Sequence, residues 1–356
     1  MRVNQWIPAA HRGDAIGDSA RRVRGFLRQM GHESDIYALT IDEDMRGEAL
    51  PFSDAAARAG DLTIFHFAVP SPMTAAFAEL PRGRVLQYHN VTPAHFFAPY
   101  DPGIFRIAAL GRREVRGLAG STDLALGDSE YNRRELEAMG FRRTAVMPIA
   151  VDTGRISAAP RHPELDRLLG DGPTNFLFVG RIAPNKRIED IIRLAEQFKR
   201  YIDAQYRFIF VGRHDGVPRY YAALRSLVVR YEMLPERFLF PGAVTDLELA
   251  AYYRAASVYL SMSEHEGFCV PLLEAMAADV PVLAYASTAV PETLGGAGVT
   301  FAVKDMEYVA ELLGQLAFDP AFRARVIARQ RQRLADFSSD AVLARLRYAL
   351  ELAVAA

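Results

Sequence analysis

The segment Phe176-Leu-Phe-Val-Gly-Arg-Ile-Ala-Pro-Asn-Lys-Arg-Ile-Glu-Asp190 reads as an apolar strand, Phe176–Val179, a glycine break and a helix that starts near Ile188. A short strand buried on both sides and followed by a helix is the repeating unit of a parallel sheet covered on both faces. The same alternation continues downstream, with strands expected at Phe208–Val211, Phe238–Phe240, Val258–Met262 and Val280–Tyr285. Upstream it appears again, with strands at Val3–Ile7, Ser34–Leu39, Leu62–Phe67, Arg84–His89, Leu124–Gly127 and Thr144–Met147. Helices are predicted over Gly17–Met30, Arg106–Leu118 and Glu130–Met139, the first and last stopped by Gly31 and Gly140. Between the two series, Gly154, Pro160, Pro163, Gly170, Gly172 and Pro173 interrupt any sustained period apart from a short helix around Leu165–Leu169. The expected organisation is an α/β chain with a Rossmann-like domain over residues 1–150, a linker over 151–173, a second Rossmann-like domain over 174–336 and a terminal helix over 337–356. Ligands are expected in a cleft at the carboxyl ends of the strands.

Bulk composition narrows the function classes. The 356 residues are half apolar and carry a formal net charge of −1, so no chain-wide basic field favours nucleic acid. The single cysteine, Cys269, excludes a disulfide framework and fits a reducing compartment. No apolar run approaches the roughly 18 residues of a membrane span. Met1-Arg-Val-Asn-Gln-Trp-Ile-Pro8 is too polar for the apolar core of a signal peptide. A cytoplasmic protein is expected. Arg21, Arg22, Arg24 and Arg28 on the first helix raise peripheral contact with an anionic membrane against the plainer reading of a solvated face. Of 42 basic residues only Lys186, Lys199 and Lys304 are lysine.

The chemistry-bearing residues cluster in the second half. Arg181 and Lys186, held by a short loop at a strand end, suit a diphosphate: the guanidinium offers a bidentate fork and the ammonium a compact charge. The plain alternative is two surface cations. Downstream stands Ser263-Glu-His-Glu-Gly-Phe-Cys-Val-Pro271, followed by Leu-Leu-Glu274. Pro271 fits the first helical position, and the preceding loop would present free N–H groups and the positive helix end to an anion. Glu266 and Glu274 could then divide the sugar and the ribose between them. A glycosidase carboxylate pair would leave the Arg–Lys loop without a role.

Val179-Gly-Arg-x₄-Lys186, Phe240-Pro-Gly-Ala-Val244, Tyr252-Tyr-Arg-Ala-Ala256, Glu266-x₇-Glu274, Val280-Pro-Val282 and Pro291-Glu292 together resemble the donor-binding half of retaining glycosyltransferases of family four, which have the GT-B fold. The resemblance implies a hexosyl transfer from a nucleotide-diphosphate sugar, GDP- or UDP-linked, to a saccharide or lipid-linked acceptor, with no metal and no other cofactor. By the same resemblance Arg181 and Lys186 hold the diphosphate, Glu266 with Phe268, Cys269 and Val270 meets the sugar, Glu274 binds the ribose and Val244 packs on the base. The final helix is expected to cross back to the first domain. In the first half, Gly13 and Gly17 stand where the family brings backbone close to the phosphates. Asp14 is a candidate for the acceptor, or a helix N-terminal carboxylate. His89 falls where the family places a histidine near the sugar; His66 and His95 are weaker candidates.

The sequence also departs from the family. Cys269 and Arg187 stand where glycine is usual, Ala278-Asp279 replaces a Cys-Gly pair, and Ser287-Thr-Ala-Val290 lacks a glycine before Pro291-Glu292. Asp42-Glu-Asp44 has a metal-binding D-x-D form but lies in the acceptor half, where it reads as a solvated turn. The rival functions are a nucleotide-sugar epimerase of the same architecture and a non-catalytic nucleotide-sugar-binding subunit. A nicotinamide dehydrogenase is disfavoured because no G-x-G-x-x-G follows either first strand.

Overall fold

The computed structural model describes residues 1–11 and 13–355, which form two compact units. The first comprises residues 1–95, 102–151 and 336–356; the second comprises 96–101 and 152–335.

In the first unit, β1 (Val3–Ala10), β2 (Ile36–Ile41), β3 (Leu50–Pro51), β4 (Leu62–Phe67), β5 (Arg84–Tyr88), β6 (Leu124–Gly127) and β7 (Thr144–Val146) form a parallel sheet. Its order is β3-β2-β1-β4-β5-β6-β7, so the chain reverses direction across the sheet between β1 and β4, the crevice position of a doubly wound fold. The edge strand β3 was not foreseen; with two residues it has no readable period, and Pro51 is tolerated at an edge. The helix Ser339–Val354 belongs to this unit. Its Val342, Leu346, Ala349, Leu350 and Ala353 recur at helical spacing and are buried in one cluster with Val3, Leu27, Ile64, Val85, Leu124 and Leu126. Ser338 caps the helix by accepting from the Ala341 N–H. Leu346→Ala is therefore expected to destabilise the first unit by about 2–5 kcal/mol, the usual cost of a core leucine. Urea unfolding followed through the single tryptophan, Trp6, buried in β1, reads that unit directly.

In the second unit, β8 (Thr174–Val179), β9 (Tyr206–Val211), β10 (Phe238–Gly242), β11 (Val258–Ser261), β12 (Val282–Tyr285) and β13 (Val299–Phe301) pair in parallel in the order β10-β9-β8-β11-β12-β13. The stretch expected as a linker contains helices Gly154–Ser157 and Pro163–Leu169 and is part of this unit. Pro163 opens the second of these rather than breaking it, because a first-turn proline lacks only an N–H that has no helical partner anyway. Residues 96–101 also join the second unit, where the Tyr100 ring meets that of Tyr220 edge-on at 5.1 Å.

Candidate active site

The Arg181–Lys186 loop of the second unit is shaped by close backbone packing at the ends of β8 and β9. Gly212, at φ 140°, lies so near the preceding strand end that a Cβ would sit 2.1 Å from the Gly180 carbonyl oxygen. Only glycine fits. The Gly180 N–H donates to Val211 and the Ile182 N–H to the Arg213 carbonyl, both at 2.9 Å, which fixes the departure of the loop. Arg181 is exposed, and its side chain makes no hydrogen bond or ion pair with any described residue. Lys186 turns inward, and its ammonium donates to both Glu266 carboxylate oxygens at 2.7 Å. The two side chains are 17% and 8% exposed, so the pair is shielded from water. Such a pair is strongly coupled: removing one partner strands the other's charge, typically at about 3–5 kcal/mol.

The Glu266 loop is stitched on both sides. The Glu264 N–H donates to the Asn185 carbonyl at 2.9 Å, and the Asn185 amide donates to the His265 carbonyl at 3.0 Å. From the other side, Thr288 Oγ accepts from the Glu266 N–H at 2.8 Å and donates to its carbonyl at 2.9 Å. The helix Val270–Ala277 follows, with Cys269 as its cap and Pro271 at the second helical position, one later than expected. Cys269 and Phe268 are buried beside this loop. Burial, then the neighbouring Glu266 carboxylate, push the Cys269 thiol well up, so it is no nucleophile. Glu274 is buried and fully partnered: Arg155 donates to Oε1 at 2.8 Å and the Tyr253 hydroxyl to Oε2 at 2.9 Å. Burial raises the Glu274 carboxyl, opposed by Arg155 and Tyr253. Val244 lies between β10 and the helix Asp246–Ala255, which opens with a Thr245–Glu248 capping box.

The first-unit candidates resolve differently. Asp14 caps the helix Ala15–Gln29, accepting from the Gly17 N–H at 3.1 Å, which is the plainer of its two expected roles. Gly17 sits inside that helix, and a Cβ there would make only an ordinary 3.4 Å contact, so nothing in the backbone requires glycine. Gly13 does adopt a left-handed conformation, at φ 72°, and is exposed. Arg21, Arg24 and Arg28 pair with Asp18, Glu48 and Asp35 within the unit, so that helix face is largely neutralised by its own carboxylates. Asp42 faces His11 at 2.8 Å, and no group of three His, Cys, Asp or Glu among the described residues is arranged to hold a metal ion.

His89 is not presented to solvent: its side chain is 2% exposed, and both ring nitrogens have partners. Nε2 lies 2.9 Å from His66 Nδ1, and Nδ1 lies 2.9 Å from Asp128 Oδ2. His66 Nε2 in turn faces Gln5 Oε1 at 3.0 Å, an amide oriented by its donation to the Ala20 carbonyl. Gln87 donates to the other Asp128 oxygen. With Gln5 as acceptor, His66 carries its proton on Nε2 and accepts at Nδ1. His89 then donates to His66 through Nε2, and its Nδ1 faces the Asp128 carboxylate. His89 thus stands at the centre of a buried polar array. His66 and Asp128 were missed as its partners because strand order, not local sequence, brings them together.

The family departures share one cause. Arg187, Cys269, Asp279 and Thr288 all have positive φ, at 54°, 74°, 57° and 45°. The backbone keeps a shape that suits glycine while the sequence supplies a side chain.

Comparison with known proteins places these features in a family. The family model for glycosyl transferases group 1 matches residues 166–333. The chain is 28% identical over 309 residues to a GDP-mannose-dependent alpha-mannosyltransferase of Mycobacterium tuberculosis, covering 76% of this chain and 75% of that protein. It is 33% identical over 193 residues to the 2-deoxystreptamine glucosyltransferase of Streptomyces kanamyceticus, 53% of this chain and 48% of the relative. Its fold resembles that of Anabaena HepE in complex with UDP-glucose, with a TM-score of 0.76, 16% identity and 99% of both chains covered. Residues 166–333 thus match the family of glycosyl transferases group 1, and the chain is a glycosyltransferase with the GT-B fold.

Proposed function

We propose that the protein transfers a hexose from a nucleoside-diphosphate donor, with GDP-mannose as the first choice, to the hydroxyl of a saccharide or lipid-linked acceptor, with retention at the anomeric carbon and without a metal. The observation that carries this reading is the Lys186 ammonium at 2.7 Å from both Glu266 oxygens, five residues beyond the exposed Arg181. Two cations and the N-terminal end of the helix Val270–Ala277 supply the positive field that a departing diphosphate needs. The donor's C1–O bond breaks with its electrons passing to the diphosphate. The acceptor oxygen attacks C1 from the same face, and its proton passes to the leaving phosphate oxygen, so no side-chain nucleophile is used. Glu266, with Phe268, Cys269 and Val270, meets the sugar; Glu274 takes the ribose; Val244 lies against the base. GDP-mannose is preferred because the relative matched over three quarters of its length is named for it. The single buried Cys269 agrees with a cytoplasmic setting, and among the described residues no helix is long and apolar enough to cross a membrane.

The test is a panel of GDP- and UDP-linked hexoses incubated with saccharide acceptors, read as released nucleoside diphosphate, with and without EDTA. GDP-mannose is expected to be turned over at the same rate in EDTA, and NMR of the first-formed product should show the donor's anomeric configuration. Turnover of no donor, activity restored only by Mg²⁺ or Mn²⁺, or an inverted product would overturn the corresponding part of the proposal.

A further inference from the structure

We propose that Thr288 is a positioning residue of the donor site, whose hydroxyl fixes the backbone of Glu266 and so aims its carboxylate. The proposal rests on the reading that Glu266 meets the transferred sugar.

Thr288 stands at φ 45°, and among the described non-glycine residues with positive φ (Asn90, Arg187, Glu232, Cys269, Asp279 and Thr288) it alone is β-branched. A second branch on Cβ makes that conformation a true outlier. Strain of this kind persists where the surroundings over-determine it, and it concentrates at functional sites. Glycine would adopt the same backbone freely but could not make the two bonds that the hydroxyl makes. Oγ accepts from the Glu266 N–H at 2.8 Å and donates to the Glu266 carbonyl at 2.9 Å, gripping both backbone groups of a buried residue. Such groups need partners, and Thr288 supplies one to each from the far side of the loop.

Neighbouring hydroxyls extend the grip. Ser287 Oγ donates to the Ser263 carbonyl at 2.5 Å, and Thr293 Oγ donates to the Phe268 carbonyl at 2.6 Å. Three hydroxyls from residues 287–293 therefore hold the segment 263–268, with Thr288 at the residue that bears the carboxylate. Lys186 holds the other end of the same side chain. With its backbone held by Thr288 and its carboxylate by Lys186, Glu266 has little freedom to drift. A misplacement of about 1 Å in a reacting constellation costs on the order of 100-fold in rate.

The experiment compares Thr288→Val, Thr288→Ser and Thr288→Gly, each alone and combined with Glu266→Ala, using the nucleotide sugar turned over fastest in the panel. Thr288→Val, which keeps the shape but loses the hydroxyl, is expected to lower kcat roughly 10–100-fold with little change in donor KM. Thr288→Ser should restore turnover. Thr288→Gly relaxes the backbone, so it should melt no lower than wild type yet turn over as slowly as Thr288→Val; it carries the test if the valine variant fails to fold. In the Glu266→Ala background the Thr288 changes should add nothing, since residues acting as one unit are non-additive. Wild-type kcat in both Thr288→Val and Thr288→Gly beside a slow Glu266→Ala overturns the role of Thr288 alone, as does an equal loss in both backgrounds. A Glu266→Ala protein with wild-type kcat overturns instead the reading of Glu266 on which the inference rests.

Discussion

Lys186→Ala is expected to turn over roughly 10²–10³-fold more slowly than wild type, the scale of losing one preorganised electrostatic stabiliser. Because Lys186 faces both oxygens of the buried Glu266, the change also leaves that carboxylate unpaired. The loop position alone suggests that the fold would be indifferent to the change; burial and pairing of the side chain correct this, and the second unit is expected to lose about 3–5 kcal/mol. Combining Lys186→Ala with Glu266→Gln removes the stranded charge, so stability should return while activity stays low. Lys186→Arg keeps the charge, but a planar fork replaces an ammonium that sits equidistant from two oxygens. It should therefore recover stability better than rate. The checks are steady-state kinetics beside melting curves for all three proteins. Wild-type turnover in Lys186→Arg would show that charge alone suffices, and wild-type turnover in Lys186→Ala would remove this lysine from the donor site.

Asp128→Asn is expected to destabilise the first unit by about 1–3 kcal/mol, because the buried His89 and Gln87 side chains then lose a carboxylate partner. The same array gives the unit an acid sensitivity of definite sign. Burial, and then the adjacent His89, push the His66 imidazole well below the ordinary histidine range. A histidine depressed in the fold binds its proton first in the unfolded chain. Stability is therefore complete above about pH 6.5 and falls as the pH drops below it, by up to roughly 1.4 kcal/mol per pH unit from His66 alone. Urea midpoints read through Trp6 between pH 5 and 8 should show this slope, and Gln substituted at His66 should flatten it. A wild-type midpoint independent of pH in that range would remove the array from the stability of the unit. Because both ring nitrogens of His89 are engaged inside the unit, His89→Ala kinetics should be read beside its melting curve.

Much of the molecule could be read locally. The strand–helix alternation that specifies two parallel sheets is a short-range pattern, since burial on both faces writes itself into each strand as an apolar run. Arg181 and Lys186 were equally plain, because a strand, a glycine and a helix start fix where the loop between them emerges. The helices Gly154–Ser157 and Pro163–Leu169 were harder to see because proline and glycine there punctuate short elements instead of ending order. Strands β3 and β13 have two and three residues, too few for any period to register.

What the sequence by itself determined was therefore the order and type of the main elements and the residue types available at the strand ends. The tertiary structure alone decided which of those residues meet. His89 pairs with Asp128 across 39 residues, Glu266 with Lys186 across 80 and Glu274 with Arg155 across 119. None of these partners is in helical or strand register with the other; each pairing follows from the side-by-side placement of strand ends, loops or helices distant in sequence. Positive φ at Thr288 was hidden for the same reason. A threonine codes locally for an extended or helical backbone, and only the bonds it makes to Glu266 and the loop packed around it hold it in the left-handed region.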